Sequence, residues 1–156
     1  MDTLLFSLAT GFGLGLSPWI PGTIGALLGL PIVLLSARLA WWKQLVVALV
    51  LCLVSGVICE LAQTSIGADD PGEVVADEYL TLPVATVGLP VTKHPVLLAT
   101  IFVVSRLLDY VKPPPARLME SVPGGAGMVL DDIITNCYAL LLGWAFFIYV
   151  LRRRAD

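Results

Sequence analysis

From Gln44 to Ala62 the chain runs almost without charge. A helix over that stretch, rising about 1.5 Å per residue, matches a hydrocarbon layer roughly 30 Å thick. Similar blocks run from Ile24 to Ala40, Val96 to Val111 and Asp131 to Leu151, and a shorter one from Tyr79 to Leu89 is interrupted by Pro83 and Gly88. Only 13% of the 156 residues are charged, well below the roughly 25% of a soluble domain, and the charges gather between the blocks. In lipid every backbone polar group must find a partner within the protein, which favours helices. The expectation is an all-α protein: a small polytopic membrane bundle, one membrane-embedded domain over residues 1–156, with a short N-terminal half-helix and about five apolar helical segments.

The first apolar run, Leu4 to Leu16, is broken by Gly11, Gly13 and Gly15 and is too short to cross as a helix. It reads as a half-helix entering the loop Ser17 to Gly22, with Thr23 as N-cap of the next helix. Trp41-Trp42-Lys43 forms a turn with the aromatics and cation of a membrane interface. The N-terminus lacks the basic region of a signal peptide, so the first segment is expected to be retained. Cys52, Cys59 and Cys137 lie in apolar blocks without metal-ligand spacing and read as small hydrophobes. A net charge of −3 argues against a nucleic-acid partner.

Following the segments back and forth sorts the polar residues into two ends. One end receives the Gly11–Thr23 loop, residues 63–78 and residues 109–132; the other receives Arg38, Lys43, Lys93, His94 and Arg152 to Arg154. Every candidate functional residue falls at the first end. Arg106, Asp109 and Lys112 are spaced to share a helix face, and Arg106 lies inside an apolar run where it needs a partner. The plainer reading is a span end with a local ion pair. Asp77-Glu78 and Asp131-Asp132 are adjacent carboxylates, which on a helix point about 100° apart. Each pair alone reads equally well as solvated acids at a helix start.

Together these are five carboxylates against two cations, a set that would take up protons unless a cation joined it. All-oxygen ligands suit magnesium, calcium or manganese. Asp77, Glu78, Asp109, Asp131 and Asp132 are therefore candidate metal ligands and catalytic acids, with Arg106 and Lys112 as phosphate partners. Gly124 and Gly125 could form an anion-binding nest, and Thr23 opens a helix whose N-terminus could hold phosphate, although an ordinary turn and cap explain both. No Gly-x-Ser-x-Gly elbow is present and the single histidine, His94, lies at the other end. Metal-activated water with a carboxylate base remains for a hydrolase. The competing reading is a small polytopic cation transporter with acidic ion ligands, against which Arg106 and Lys112 would repel the cation.

Four ordered motifs, Gly-Phe-Gly-x-Gly-x-Ser-Pro-x-x-Pro-Gly-Thr (11–23), Asp-Glu-Tyr (77–79), Arg-x-x-Asp-x-x-Lys-Pro-x-Pro (106–115) and Gly-Gly-x-Gly-x-x-x-Asp-Asp (124–132), resemble the phosphatidylglycerophosphatase A family. The resemblance implies a magnesium-dependent, multi-pass lipid phosphatase of the bacterial inner membrane. Its expected reaction converts phosphatidylglycerophosphate, a phospholipid in the bilayer, to phosphatidylglycerol and inorganic phosphate. It also carries over the five acids and both cations as site residues, while Ala26 and Ser105 depart from residues common in relatives. Two expectations about sidedness oppose each other. Six Lys and Arg at the far end, against Arg106, Lys112 and Arg117 beside the acids, would place the site outside the cytoplasm. The resemblance places it at the cytoplasmic face, where the lipid is made, and that expectation is adopted. The oligomeric state stays open.

Overall fold

The computed structural model describes residues 2–68 and 71–152, and among these it is helical with no strand. Helix α1 spans Thr3–Ala9 and a single 3-10 turn Leu14–Leu16 follows. Helices α2 (Pro21–Ala26) and α3 (Gly29–Ser36) lead into the long α4 (Trp41–Ile66). Short α5 (Ala76–Thr81) passes directly into a 3-10 stretch, Leu82–Thr86. Then come α6 (Pro95–Val111), the single turn α7 (Ala116–Met119) and α8 (Gly125–Phe146), which continues as a π-helical stretch to Arg152.

Two helices, Trp41–Ile66 and Gly125–Leu151, are long and apolar enough to cross a membrane. Along α4, Leu45, Leu49, Leu53, Val46, Val50, Val54, Val57 and Leu61 are exposed on the outside of the bundle. So large an apolar surface needs lipid or a partner to cover it, which indicates membrane association. Of the about five apolar helical segments expected, these two helices are the ones of spanning length among the described residues. The block Ile24 to Ala40 is divided between α2 and α3 and ends at Ser36: Pro31 has no N–H to give the Leu27 carbonyl, which accepts from Leu30 instead at 3.1 Å. Helix α6 reaches 17 residues, about 25 Å at the usual rise. The Tyr79–Leu89 block does traverse the protein, but through its interior. Leu80, Leu82, Ala85 and Leu89 are buried, and Gly88 at its far end packs against Trp41 and Trp144.

Several boundaries also move. Helix α2 starts at Pro21, whose fixed φ suits a first helical residue, so Thr23 lies inside the helix and Ile20 is the cap. Trp41, Trp42 and Lys43 form the first turn of α4, not a turn between helices, although both tryptophans are exposed as an interfacial pair would be. Helix α4 runs on to Gly67, a left-handed cap at φ +75°. Helix α8 begins at Gly125, six residues ahead of the expected start, so Asp131 and Asp132 lie in its second turn and are buried. The N-terminal half-helix ends at Ala9, ahead of Gly11 and Gly13, which both have positive φ.

Two apolar clusters hold the bundle. One lies beneath the acidic end and includes Cys59, Ala62, Val75, Tyr79 and Met128; the other lies at the far end around Val33, Leu82, Leu97, Ile101 and Ala139. Cys52 and Cys59 are buried in the first cluster, as expected, whereas Cys137 is exposed on α8. Helix α8 runs antiparallel to both α4 and α6 and packs on each. Its start crosses α4 so closely that a Cβ on Gly125 would fall against the Glu60 backbone nitrogen. Gly125→Ala should cost about 1–3 kcal/mol through that overlap. Thermal unfolding in detergent should show a lower Tm for Gly125→Ala and little change for Gly56→Ala, whose Cβ meets open space. Equal Tm values would contradict the close crossing.

Candidate active site

The end of α4, the start of α5, the end of α6 and the start of α8 meet at one end of the bundle. Asp77 and Glu78 are in the first turn of α5, where negative charge is favoured, and Asp77 accepts the Glu78 N–H at 3.1 Å. Asp131 likewise accepts the Asp132 N–H at 2.9 Å. Asp77, Glu78, Asp109, Lys112, Asp131 and Asp132 line one cavity of about 260 Å³, with Pro21 and Gly22 on its wall. All five acids named from sequence are thus brought together. Arg106 lies behind them and His94 is at the far end, its ring centre 5.5 Å from that of Phe147 and tilted by 57°.

Arg106 is the hub. Its Nη1 is 3.4 Å from Glu78 Oε2 and 3.6 Å from Asp109 Oδ2, and its Nη2 is 3.7 Å from Asp132 Oδ1. These are ion pairs at the long end of contact, and neither Asp132 Oδ1 nor Arg106 Nε makes a hydrogen bond. Lys112 is tighter: its Nζ donates to Asp131 Oδ2 at 2.7 Å and to Glu120 Oε1 at 2.8 Å. Burial alone would lower the Lys112 pKa, but the two hydrogen-bonded carboxylates outweigh it and hold the ammonium above its ordinary value. Lys112 also ends α6 in a left-handed conformation, φ +47°, just before Pro113.

Beneath the ion pairs runs a buried polar chain that sequence reasoning did not find. Ser105 Oγ donates to Asn136 Oδ1 at 2.6 Å, Asn136 Nδ2 donates to Thr81 Oγ1 at 3.0 Å, and Thr81 donates to the Asp77 carbonyl at 2.6 Å. It ties α6, α8 and α5 together directly under the acids. Polar residues on apolar helices were its available signal. Glu60 was also missed. Its carboxylate accepts the Gly125 N–H at 2.6 Å, so the expected Gly124–Gly125 nest already holds an anion of the chain itself. Thr23 and Gly125 are not among the residues lining the acidic cavity, and Gly124 lines a neighbouring one. Gly22 does enter the wall, so close that a Cβ there would collide with the Glu78 carboxylate.

Among the described residues, no three carboxylates are drawn together closely enough to cage a metal as they stand. Magnesium does not require that. It is commonly held by one or two carboxylates, with waters and substrate phosphate completing an octahedron. The all-oxygen donor set lining the acidic cavity fits such an ion.

The phosphatidylglycerophosphatase A family matches residues 7–147. The chain belongs to that family. It is an enzyme of the phosphatase class, and the four motifs that first suggested the resemblance supply all the charged residues lining the acidic cavity. Phosphatidylglycerophosphatase A of Escherichia coli K12 is 39% identical over 83% of this chain and 75% of its own length. Phosphatidylglycerophosphatase A of Haemophilus influenzae Rd is 32% identical over 92% of this chain and 89% of its own. A Bacteroides thetaiotaomicron protein, provisionally named a phosphatidylinositol-3-phosphatase, is 32% identical over 86% of this chain and 88% of its own. No solved structure matches the chain.

Arg106 faces three acids from a nearly dry position, so its removal leaves buried charges without a counterion. Arg106→Met should cost about 3–5 kcal/mol of stability, the usual penalty for breaking a buried pair from one side. Chemical unfolding in micelles checks it. A loss below about 1 kcal/mol would place the acids in a solvated, surface-like setting.

Proposed function

We propose that the chain is a magnesium-dependent phosphatidylglycerophosphatase, hydrolysing the terminal phosphomonoester of phosphatidylglycerophosphate to phosphatidylglycerol and inorganic phosphate. The observation that carries this reading is the convergence of five carboxylates and Lys112 on one cavity at the end of an apolar bundle. Such a cavity can receive a lipid head group while the acyl chains stay in the membrane. The family and two of the relatives favour phosphatidylglycerophosphate; the third bears the name of an inositol-lipid phosphatase, and shares the same requirement for a phosphomonoester on a lipid.

In this reading the substrate phosphate enters the cavity beside Lys112, whose ammonium offsets its charge. Arg106 stays behind the acids, holding Glu78, Asp109 and Asp132 in place while limiting their mutual repulsion. A lining carboxylate takes a proton from the attacking water and returns it to the departing head-group oxygen as the phosphorus–oxygen ester bond breaks. Asp77, Glu78, Asp109, Asp131 and Asp132 are the residues that would hold magnesium, with one or two of them ligating directly. When bound, the ion supplies Lewis-acid charge neutralisation and a more acidic water. A cation-transport role is disfavoured by Arg106 and Lys112, which place positive charge among the same acids.

The site is assigned to the cytoplasmic face of a multi-pass inner-membrane protein, because the substrate is made in that leaflet. The positive-inside count, six Lys and Arg at the far end against three beside the acids, opposes this assignment, which rests on the substrate's leaflet alone. With native cysteines replaced, Ser121→Cys should be labelled in sealed vesicles only from the cytoplasmic side. Labelling from the periplasmic side alone would reverse the assignment.

Asp109→Asn and Asp131→Asn should each lower phosphate release at least about a hundredfold while the purified protein keeps its elution volume in detergent. EDTA should abolish release by the unmodified enzyme, and added magnesium should restore it. Wild-type turnover in both variants would sink the proposal.

A further inference from the structure

A second cavity, about 270 Å³, adjoins the first and shares Met128 and Asp131 with it. Its remaining wall comes from Gln63 at the end of α4, from Glu120 to Gly124 before α8 and from Gly127 within it. The two cavities differ in charge. Lys112 lines the first, whereas the second carries the carboxylates of Glu120 and Asp131 and no cation in its lining. The Lys112 ammonium bonds to both acids and so stands at the boundary between the cavities. A phosphate pushed into the second cavity would meet two carboxylates, so a neutral polar group suits it better. Gln63 is half-buried there, and its amide can both donate to and accept from a hydroxyl. Its intramolecular partner is weak, a 3.4 Å contact to Glu60.

An apolar groove also opens beside the start of α8. At the same level of α8, on another face, Ala126 and Val129 line it against Gly56 and Val57 of α4, with Glu60 at its polar end. Glu60 in turn binds Gly125, next to the Gly124 of the second cavity. The start of α8 thus adjoins all three spaces: Asp131 and Asp132 line the first cavity, Gly127 and Asp131 the second, and Ala126 and Val129 the groove.

We propose that the second cavity is the subsite for the neutral, hydroxyl-bearing linker that joins the reacting phosphate to the rest of the lipid, and that Gln63 reads the linker hydroxyl. The assignment rests on the lipid-phosphatase reading above. It makes Gln63 a specificity residue: it selects among lipid phosphates by the polyol next to the phosphate, without taking part in phosphorus–oxygen cleavage.

The test compares phosphatidylglycerophosphate with its analogue lacking the linker hydroxyl, using full-length protein in mixed micelles with magnesium. Wild type should favour the hydroxylated substrate by on the order of tenfold in kcat/KM, mostly through KM, as expected for one hydrogen bond. Gln63→Leu should process the two equally, while inhibition by inorganic phosphate stays at its wild-type strength. That ratio is internal to each preparation, so partial misfolding cancels. Gln63→Met provides the same comparison should the leucine variant not fold. A preference kept by the variant, or absent from wild type, overturns the subsite. Hydrolysis of neither substrate by wild type overturns the phosphatase reading instead.

Discussion

Arg106 reaches three carboxylates that belong to three different helices: Glu78 on α5, Asp109 on its own α6 and Asp132 on α8. A guanidinium in this position is costly to desolvate and is tolerated only because the acids surround it. The converse holds as well. Glu78, Asp109 and Asp132 could not be packed at the end of an apolar bundle without it. The arrangement of α5, α6 and α8 around the site thus depends on one residue that does not line the acidic cavity.

Lys112 plays the complementary part at the rim. It closes α6 in a left-handed turn, and its side chain bridges Asp131 on α8 and Glu120 in the connecting segment. Pro113 to Pro115 then prevent the helix from continuing. Backbone and charge therefore act together: the chain is turned back at the point where an ammonium can join the acids on both sides. One cation is buried and binds the helices together; the other is half-exposed and borders both cavities. That division suits a site in which charge must be available to a ligand without the scaffold losing its own counterion.

The charged residues of the site were legible because lipid makes them conspicuous: Asp77, Asp109, Asp131 and their neighbours interrupt apolar blocks, and their motifs are spaced to return to one end. What was illegible had weaker contrast. Ser105, Thr81 and Asn136 are uncharged and sit within helices, so nothing in a linear reading pairs them across α6, α5 and α8. Glu60 reads as the edge of a span until α8 is seen to begin against it. Which apolar blocks face lipid was illegible for a related reason. Apolar composition is shared by residues facing lipid and residues facing the bundle interior, and the Tyr79–Leu89 block is of the second kind.

That interior segment explains how so small a chain can build a charged site inside an apolar bundle. Non-helical backbone at membrane depth is tolerated only when other parts of the protein satisfy it. Here the Val75 N–H donates to the Ala9 carbonyl at 2.8 Å, the Tyr79 hydroxyl donates to the Leu8 carbonyl at 2.9 Å, and the Gly88 N–H donates to Gln44 Oε1 at 2.8 Å. The N-terminal half-helix thus supplies partners to the segment that carries Asp77 and Glu78, and α4 supplies one at its far end. Because α5 is short and enclosed, its first turn, with both acids, can stop level with the ends of α6 and α8. A full-length span in its place would carry the same residues on a lipid-facing helix, where no Arg106 could reach Glu78.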